Sequence, residues 1–198
     1  MKYALIGDIH SSVDDLKAVL SHIQNVDPSL VIVGTGDIYE CIIGKKRAKK
    51  EKFNKLTEVT IEPEKLDPYL TFPTVYGNQE ERIVAIYTGN HSIIDQIKTL
   101  PSKIIIQNAT ITHGHEWQWD GDPFTPKFPI EEGKLVFFGH SHTSKFYRNG
   151  VCIPFEFNQK IHINSEHTAV NIGSVIDHRE WVLYDSEDKT IEFKKPAL

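Results

Sequence analysis

Short apolar runs that each end in a glycine followed by a polar residue set the rhythm of the first half of the chain. Tyr3 to Ile6 is such a run, stopping at Gly7-Asp8, and predicts a buried strand feeding a loop. Beyond it Leu16, Val19, Leu20 and Ile23 recur at helical spacing, with Ser12 or Asp14 positioned to cap the helix and Asp27-Pro28 to end it. Leu30 to Val33 predicts a second buried strand, running into Gly34-Thr35-Gly36-Asp37. Strand, helix and strand in succession predict an α/β domain with parallel strands. Thr74 to Tyr76 repeats the pattern before Gly77-Asn78, and residues 80–87 then read as a helix.

The second half predicts mostly strands. Lys103 to Ile106, Ala109 to Thr112 and Leu135 to Phe138 are apolar runs. Shorter alternating segments follow near Lys145 to Arg148, Val151 to Ile153, Lys160 to Ile163 and Ala169 to Ile172, with Asn149-Gly150 as a hairpin turn signal. Trp181 to Tyr184 and Thr190 to Phe193 read as closing antiparallel strands. Residues 121–132, with three prolines, read as a long loop. Lys45 to Lys55 reads as an exposed helix inserted between strands.

Composition narrows the class. The 198 residues fit one domain, 1–198, with 39% apolar and 25% charged residues, the profile of an ordinary globular protein. A formal charge of −5 argues against nonspecific nucleic-acid binding. The basic run from Lys45 to Lys55 has two readings, a solvated face or a patch that draws in an anionic substrate. Cys41 and Cys152 form no disulfide framework, which fits a reducing compartment. The N-terminal apolar run is too short for a signal peptide and no run approaches a membrane span, so the expected location is cytoplasmic, without a membrane partner.

The candidate chemistry lies where the strands end: Asp8 and His10, Asp37, Asn78, His113, then His140 and His142. Open α/β sheets gather their sites at strand carboxyl ends, so residues far apart in sequence can converge. Asp8 and His10 stand two apart, which in an extended segment aims both side chains the same way, and His140 and His142 repeat the spacing. Gly7, Gly36, Gly77 and Gly139 are expected to provide the tight turns that aim the ligands. Two metal ions about 3.5–4 Å apart could hold phosphate oxygens and generate hydroxide at neutral pH. Imidazole with carboxylate suits manganese, iron, zinc or cobalt better than magnesium or calcium.

Each residue alone has a plainer reading. Asp8 could cap a helix, Asp37 and Asn78 could be turn residues, and His140 and His142 could be half-buried strand residues. Those readings give no reason for all seven to end strands. His115 could stand behind the ligands, face a substrate, or be a surface residue. His22, His91, His162, His167 and His178 match no ligand spacing and read as structural. Trp117 and Trp119 could stack on a flat substrate group or pack as a lid over a small core.

In this order, Gly7-Asp8-Ile9-His10, Gly36-Asp37, Gly77-Asn78, His113-Gly114-His115 and Gly139-His140-Ser141-His142 resemble the signature of the calcineurin-like metallophosphoesterases. Asn171-Ile172-Gly173-Ser174 is similar to the family's Asn-Pro-Gly-Ser turn, with Ile in place of Pro. The His-Gly-His stretch is most similar to small bacterial phosphodiesterases. The resemblance implies a four-layer αββα sandwich of two mixed sheets flanked by helices, with metals at strand ends. It implies two divalent ions, manganese first, with iron, zinc, nickel or cobalt as alternatives. Asp8, His10 and His142 would hold one ion, Asn78, His113 and His140 the other, and Asp37 would bridge them. Asn78 and His115 would serve catalysis. The implied activity is hydrolysis of a phosphodiester or small phosphomonoester by metal-bound hydroxide.

Two departures qualify this. Many members carry a histidine after the asparagine, whereas this chain has Gln79, which is no general acid. Gly36-Asp37-Ile38-Tyr39-Glu40 lacks the Asp-Arg-Gly continuation of protein phosphatases. The competing reading is a non-catalytic scaffold on the same fold. A nuclease is a third, disfavoured by size and by Gln79. The expected partner is a small phosphate-ester substrate.

Overall fold

The computed structural model describes residues 1–120, 125–127, 135–164 and 167–196, so much of the loop expected over 121–132 lies outside the described residues. The strands are β1 (Lys2–Ile6), β2 (Val31–Gly34), β3 (Lys103–Ile106), β4 (Ala109–Thr112), β5 (Gln118–Asp120), β6 (Thr125–Lys127) and β7 (Leu135–Phe138). They continue as β8 (Lys145–Arg148), β9 (Val151–Ile153), β10 (Ile161–His162), β11 (Thr168–Asn171), β12 (Trp181–Asp185) and β13 (Thr190–Lys194). The helices are α1 (Val13–Val26), α2 (Lys45–Ala48), α3 (Pro63–Leu66), α4 (Asn78–Ile86) and α5 (Ser92–Thr99).

As expected, this is a mixed α/β fold of two large mixed sheets with helices. One sheet runs β10-β13-β12-β1-β2, with β1 and β2 parallel and the other pairs antiparallel. The other runs β3-β4-β7-β11-β8-β9, with β4, β7 and β11 parallel and antiparallel strands outside them. The apolar run of β1 shows how one strand serves two cores, because successive side chains leave opposite faces. Tyr3 and Leu5 enter the core between the sheets with Phe137, Val170, Tyr184 and Phe193. Ala4 and Ile6 enter the second core with Leu16, Val19 and Ile23 of α1, Ile83 of α4 and Ile97 of α5. Burying each large aliphatic side chain contributes about 1.5–3 kcal/mol.

Asn149 and Gly150, at φ 48° and 80°, turn the β8–β9 hairpin as their sequence predicts. Three expectations change. Thr74 to Tyr76 makes only one parallel bridge, Gly34 to Thr74, and no full strand. Its flank Pro73 has no N–H to give the ladder, and the Tyr76 N–H turns away to Pro101 O at 3.1 Å. The basic run is helical only over Lys45–Ala48, because Lys45/Lys49 and Lys46/Lys50 would repel at i,i+4 and only Arg47 finds a carboxylate there, Glu51. Ser12 does sit at the N-cap of α1, but its hydroxyl donates to Asp15 Oδ2 at 2.6 Å instead of capping. Helix α5 was not anticipated. No described helix is long and apolar enough to cross a membrane.

Candidate metal centre

The loops that leave β1 and β2 are laced together by backbone. Asp8 N–H donates to Gly36 O at 3.0 Å, Ile9 and His10 N–H to Asp37 O at 2.8 and 3.0 Å, and Ser11 N–H to Ile38 O at 2.9 Å. The second sheet joins through Asp8, whose carboxylate accepts the His140 N–H at 2.9 Å. The Asn171 amide then donates to Gly139 O at 3.0 Å and Ser141 Oγ at 2.7 Å, so the Asn171-to-Ser174 turn holds the loop that carries His140 and His142.

The ligand directions do not come from extended alternation as the spacing predicted. Asp8 (φ 48°), His10 (48°), Asp37 (49°), His140 (72°) and His142 (57°) all sit in the left-handed region, which costs non-glycine residues free energy and persists where surrounding contacts impose it. The glycines mostly supply space, not turns. Only Gly36 of the four has a positive φ, 94°. A Cβ on Gly77 would come within 2.1 Å of Asp37 Oδ1, and one on Gly139 within 2.4 Å of Asp8 Oδ2.

These loops bring the predicted residues into two adjoining groups. Asp8, His10 and His142 offer ligand atoms within 4.8 Å of one another, and so do Asp37, His113 and His140. Asp37 Oδ2 lies between them, 3.7 Å from His10 Nε2 and 3.2 Å from His113 Nε2. His142 Nε2 is 3.5 Å from Asp8 Oδ1. Asn78, the first residue of α4, puts Oδ1 3.3 Å from His113 Nε2.

The donor set fits divalent transition ions. It consists of imidazole nitrogens and carboxylate or amide oxygens. Among the described residues His10 Nε2 is buried without a hydrogen-bond partner, and its other ring nitrogen, Nδ1, is held by Glu40 Oε2. His113 Nδ1 donates its N–H to Thr35 O at 2.9 Å, which in the neutral ring leaves the lone pair on Nε2. Such outer partners orient ligands and raise their basicity.

The charges are strongly coupled. Burial would raise Asp37, but the His113 imidazole beside it and the Gln79 N–H hold its carboxyl at about 2. Burial would lower His113 and His10, yet the carboxylates facing them raise His113 to about 9 and His10 to about 10. His140 is pushed down to about 4 by burial and the His113 charge.

Two supporting residues were missed in the sequence. Glu40 orients His10. Glu80 is fully buried and accepts the N–H groups of Asp37, Ile38, Tyr39 and Gly77 at 2.8–3.0 Å, which ties the Asp37 loop to the start of α4. Burial and the Asp37 charge push its carboxyl up to about 7. The capping-box spacing from Gly77 to Glu80 was the available signal.

Gln79 is half-buried in the first turn of α4. Its Oε1 accepts the Cys41 N–H at 3.2 Å. The His115 ring packs 5.1 Å from His113 and 6.3 Å from His140, with Nε2 3.2 Å from Glu81 Oε2. Trp117 and Trp119 pack over Phe138 on the outer face of the second sheet, and Trp119 also lies 5.3 Å from the His140 ring. Two of the histidines read as structural have such contacts. His22 Nδ1 accepts from Trp181 Nε1 at 3.1 Å, and His91 caps α5.

Solved structures share this arrangement of sheets. The chain aligns over 100% of its length with 88% of a metallophosphoesterase from Sphaerobacter thermophilus, at 18% identity and a TM-score of 0.68. It aligns over 98% of its length with 98% of the phosphoesterase Yfce from E. coli, at 15% identity and a TM-score of 0.51. No curated protein matches the sequence. The family model of the calcineurin-like phosphoesterase superfamily domain matches residues 1–184, and the chain belongs to that superfamily.

Proposed function

We propose that the 198 residues act as one unit, a binuclear metal-dependent phosphoesterase that hydrolyses a phosphodiester or small phosphomonoester. The observation that carries this reading is the position of Asp37 Oδ2 between His10 Nε2 and His113 Nε2, at 3.7 and 3.2 Å, joining two histidine–carboxylate groups. Asp8, His10 and His142 would hold one ion, Asn78, His113 and His140 the other, with Asp37 shared between them. The donor set favours manganese, with iron, zinc, nickel or cobalt as alternatives. When bound, such a pair supplies a nucleophile at neutral pH and charge stabilisation for the ester oxygens.

The chain's own residues supply orientation. Asn78 places an amide oxygen 3.3 Å from His113 Nε2. Gln79 has no proton to give, so His115, whose Nε2 lies 3.2 Å from Glu81 Oε2, is the group assigned to the leaving oxygen. A well-placed proton donor is worth typically about 10²–10⁴-fold for an alkoxide and little for a nitrophenolate. The unpaired Cys41 and Cys152 support a cytoplasmic location.

Elemental analysis of purified protein, with turnover of bis(p-nitrophenyl) phosphate across a metal series, tests the proposal. About two ions per chain and metal-dependent turnover are expected. Full metal content without turnover of any aryl ester would support a scaffold instead. For His115, His115→Ala should slow alkyl diesters far more than aryl ones; equal slowing of both removes it from the leaving-group role.

A further inference from the structure

Between α4 and α5 the structure has a cavity of about 490 Å³. Val84 and Ala85 of α4, with Ile97 and Leu100 at the α5 side, give it an apolar lining. Tyr76 and Glu81 line it as well, and both reach the candidate centre through His115. The Tyr76 ring lies 5.9 Å from the His115 ring, and Glu81 Oε2 lies 3.2 Å from His115 Nε2. His115 in turn packs against His113 and His140. The cavity therefore lies beyond His115 as seen from the ligand groups, with Tyr76 and Glu81 forming its wall there, on the side assigned above to the leaving oxygen.

Its chemistry favours one kind of occupant. Pockets of about 300–1,000 Å³ with apolar walls and few polar groups suit small organic ligands. The aliphatic residues and the Tyr76 ring offer faces to a flat, weakly polar group. One lysine, Lys98, and one exposed carboxylate, Glu81, make no cluster fit for a second phosphate. We propose that this cavity receives one ester substituent of the substrate, a flat group of the aryl class, and so selects aryl-type over small alkyl phosphoesters. The proposal rests on the phosphoesterase reading of the adjoining centre.

The test compares two non-hydrolysable inhibitors, phenylphosphonate and methylphosphonate, against bis(p-nitrophenyl) phosphate turnover by the metal-loaded protein. Phenylphosphonate should inhibit roughly tenfold more tightly, the gain expected from burying an aromatic ring. Two variants fill the cavity from opposite sides at exposed positions, Ala85→Trp on α4 and Lys98→Trp on α5. In both the ratio of the two inhibition constants should fall toward one. Equal inhibition of the wild-type protein by the two phosphonates overturns the proposal. So does a tenfold ratio that neither variant moves, since the ring is then held elsewhere. If neither phosphonate inhibits and the protein holds no metal, the phosphoesterase reading fails, an outcome distinct from a lost preference.

Discussion

The two halves of the candidate centre use the same residue types but differ in how far the fold encloses them. In the half formed by Asp37, Asn78, His113 and His140, the His113 side chain is 0% exposed and Asp37 is 2%. In the half formed by Asp8, His10 and His142, Asp8 and His10 are likewise buried, at 0% and 8%, and the difference lies in the outer ligand His142, 38% exposed. The enclosed half is anchored from behind by Thr35 O on His113 and by the four backbone N–H groups that converge on Glu80 near Asp37. The open half has one carboxylate, Glu40, behind His10, while the Asn171 turn holds the loop that gives each half one ligand, His140 and His142. A preorganised, desolvated ligand set loses less freedom on binding, so the enclosed half should hold its ion more tightly.

The largest test removes what the halves share. Asp37→Asn should empty both and lower kcat/KM on the order of 10³-fold, since the ions supply several kcal/mol of transition-state stabilisation. Elemental analysis decides it: two ions still bound would end the bridging assignment. By contrast His142→Ala should cost about one ion and leave the enclosed half loaded, and loss of both would erase the distinction drawn here.

Next comes the support of the enclosed half. Glu80→Gln puts an amide NH₂ where the carboxylate now meets only donors, leaving buried N–H groups unpaired at roughly 1–3 kcal/mol. Thermal unfolding of metal-free protein should drop accordingly. The matching change in the open half, Glu40→Gln, should weaken metal binding about 10–100-fold with little effect on unfolding. An unfolding loss as large for Glu40→Gln as for Glu80→Gln would contradict the contrast.

A smaller effect follows from protonation of the metal-free protein. His10 and His113 are raised from 6.5 to about 10 and about 9, so their proton binding stabilises the fold fully below pH about 6.5. That contribution is lost as pH rises through 9 and 10. Unfolding of chelated protein against pH should show the decline, and a flat profile between pH 6.5 and 10 would break this account of the site's charge. The smallest effect concerns the basic run outside both halves. Replacing Lys45, Lys46, Lys49 and Lys50 with Gln should lower kcat/KM a few-fold at low salt, with added salt mimicking the loss. Unchanged kinetics would return these exposed lysines to a solvated role.

Much of this architecture was legible residue by residue. The run Tyr3–Ile6 predicted burial on both faces, and β1 feeds both cores. Asn149-Gly150 predicted its hairpin from backbone freedom alone. Strand ends nominated the residues that converge, because a parallel sheet delivers its carboxyl ends to one edge. Thr74–Tyr76 looked like a strand because its composition carries no record of where its N–H groups find partners.

What the sequence determined by itself was therefore the local content: which segments are apolar, which turns are possible, and which polar residues follow the strands. How those residues are aimed was decided only by the tertiary structure. Asp8 and His10 share a direction through left-handed backbone that the laced Gly36–Ile38 loop imposes, not through strand alternation. Gln79 and Glu80 illustrate the same limit, since adjacent residues turned to different partners 38 to 43 positions away. Such directions follow from long-range hydrogen bonds and from space that glycines leave open. Neither has a periodic signature along the chain, so only the folded contacts specify them.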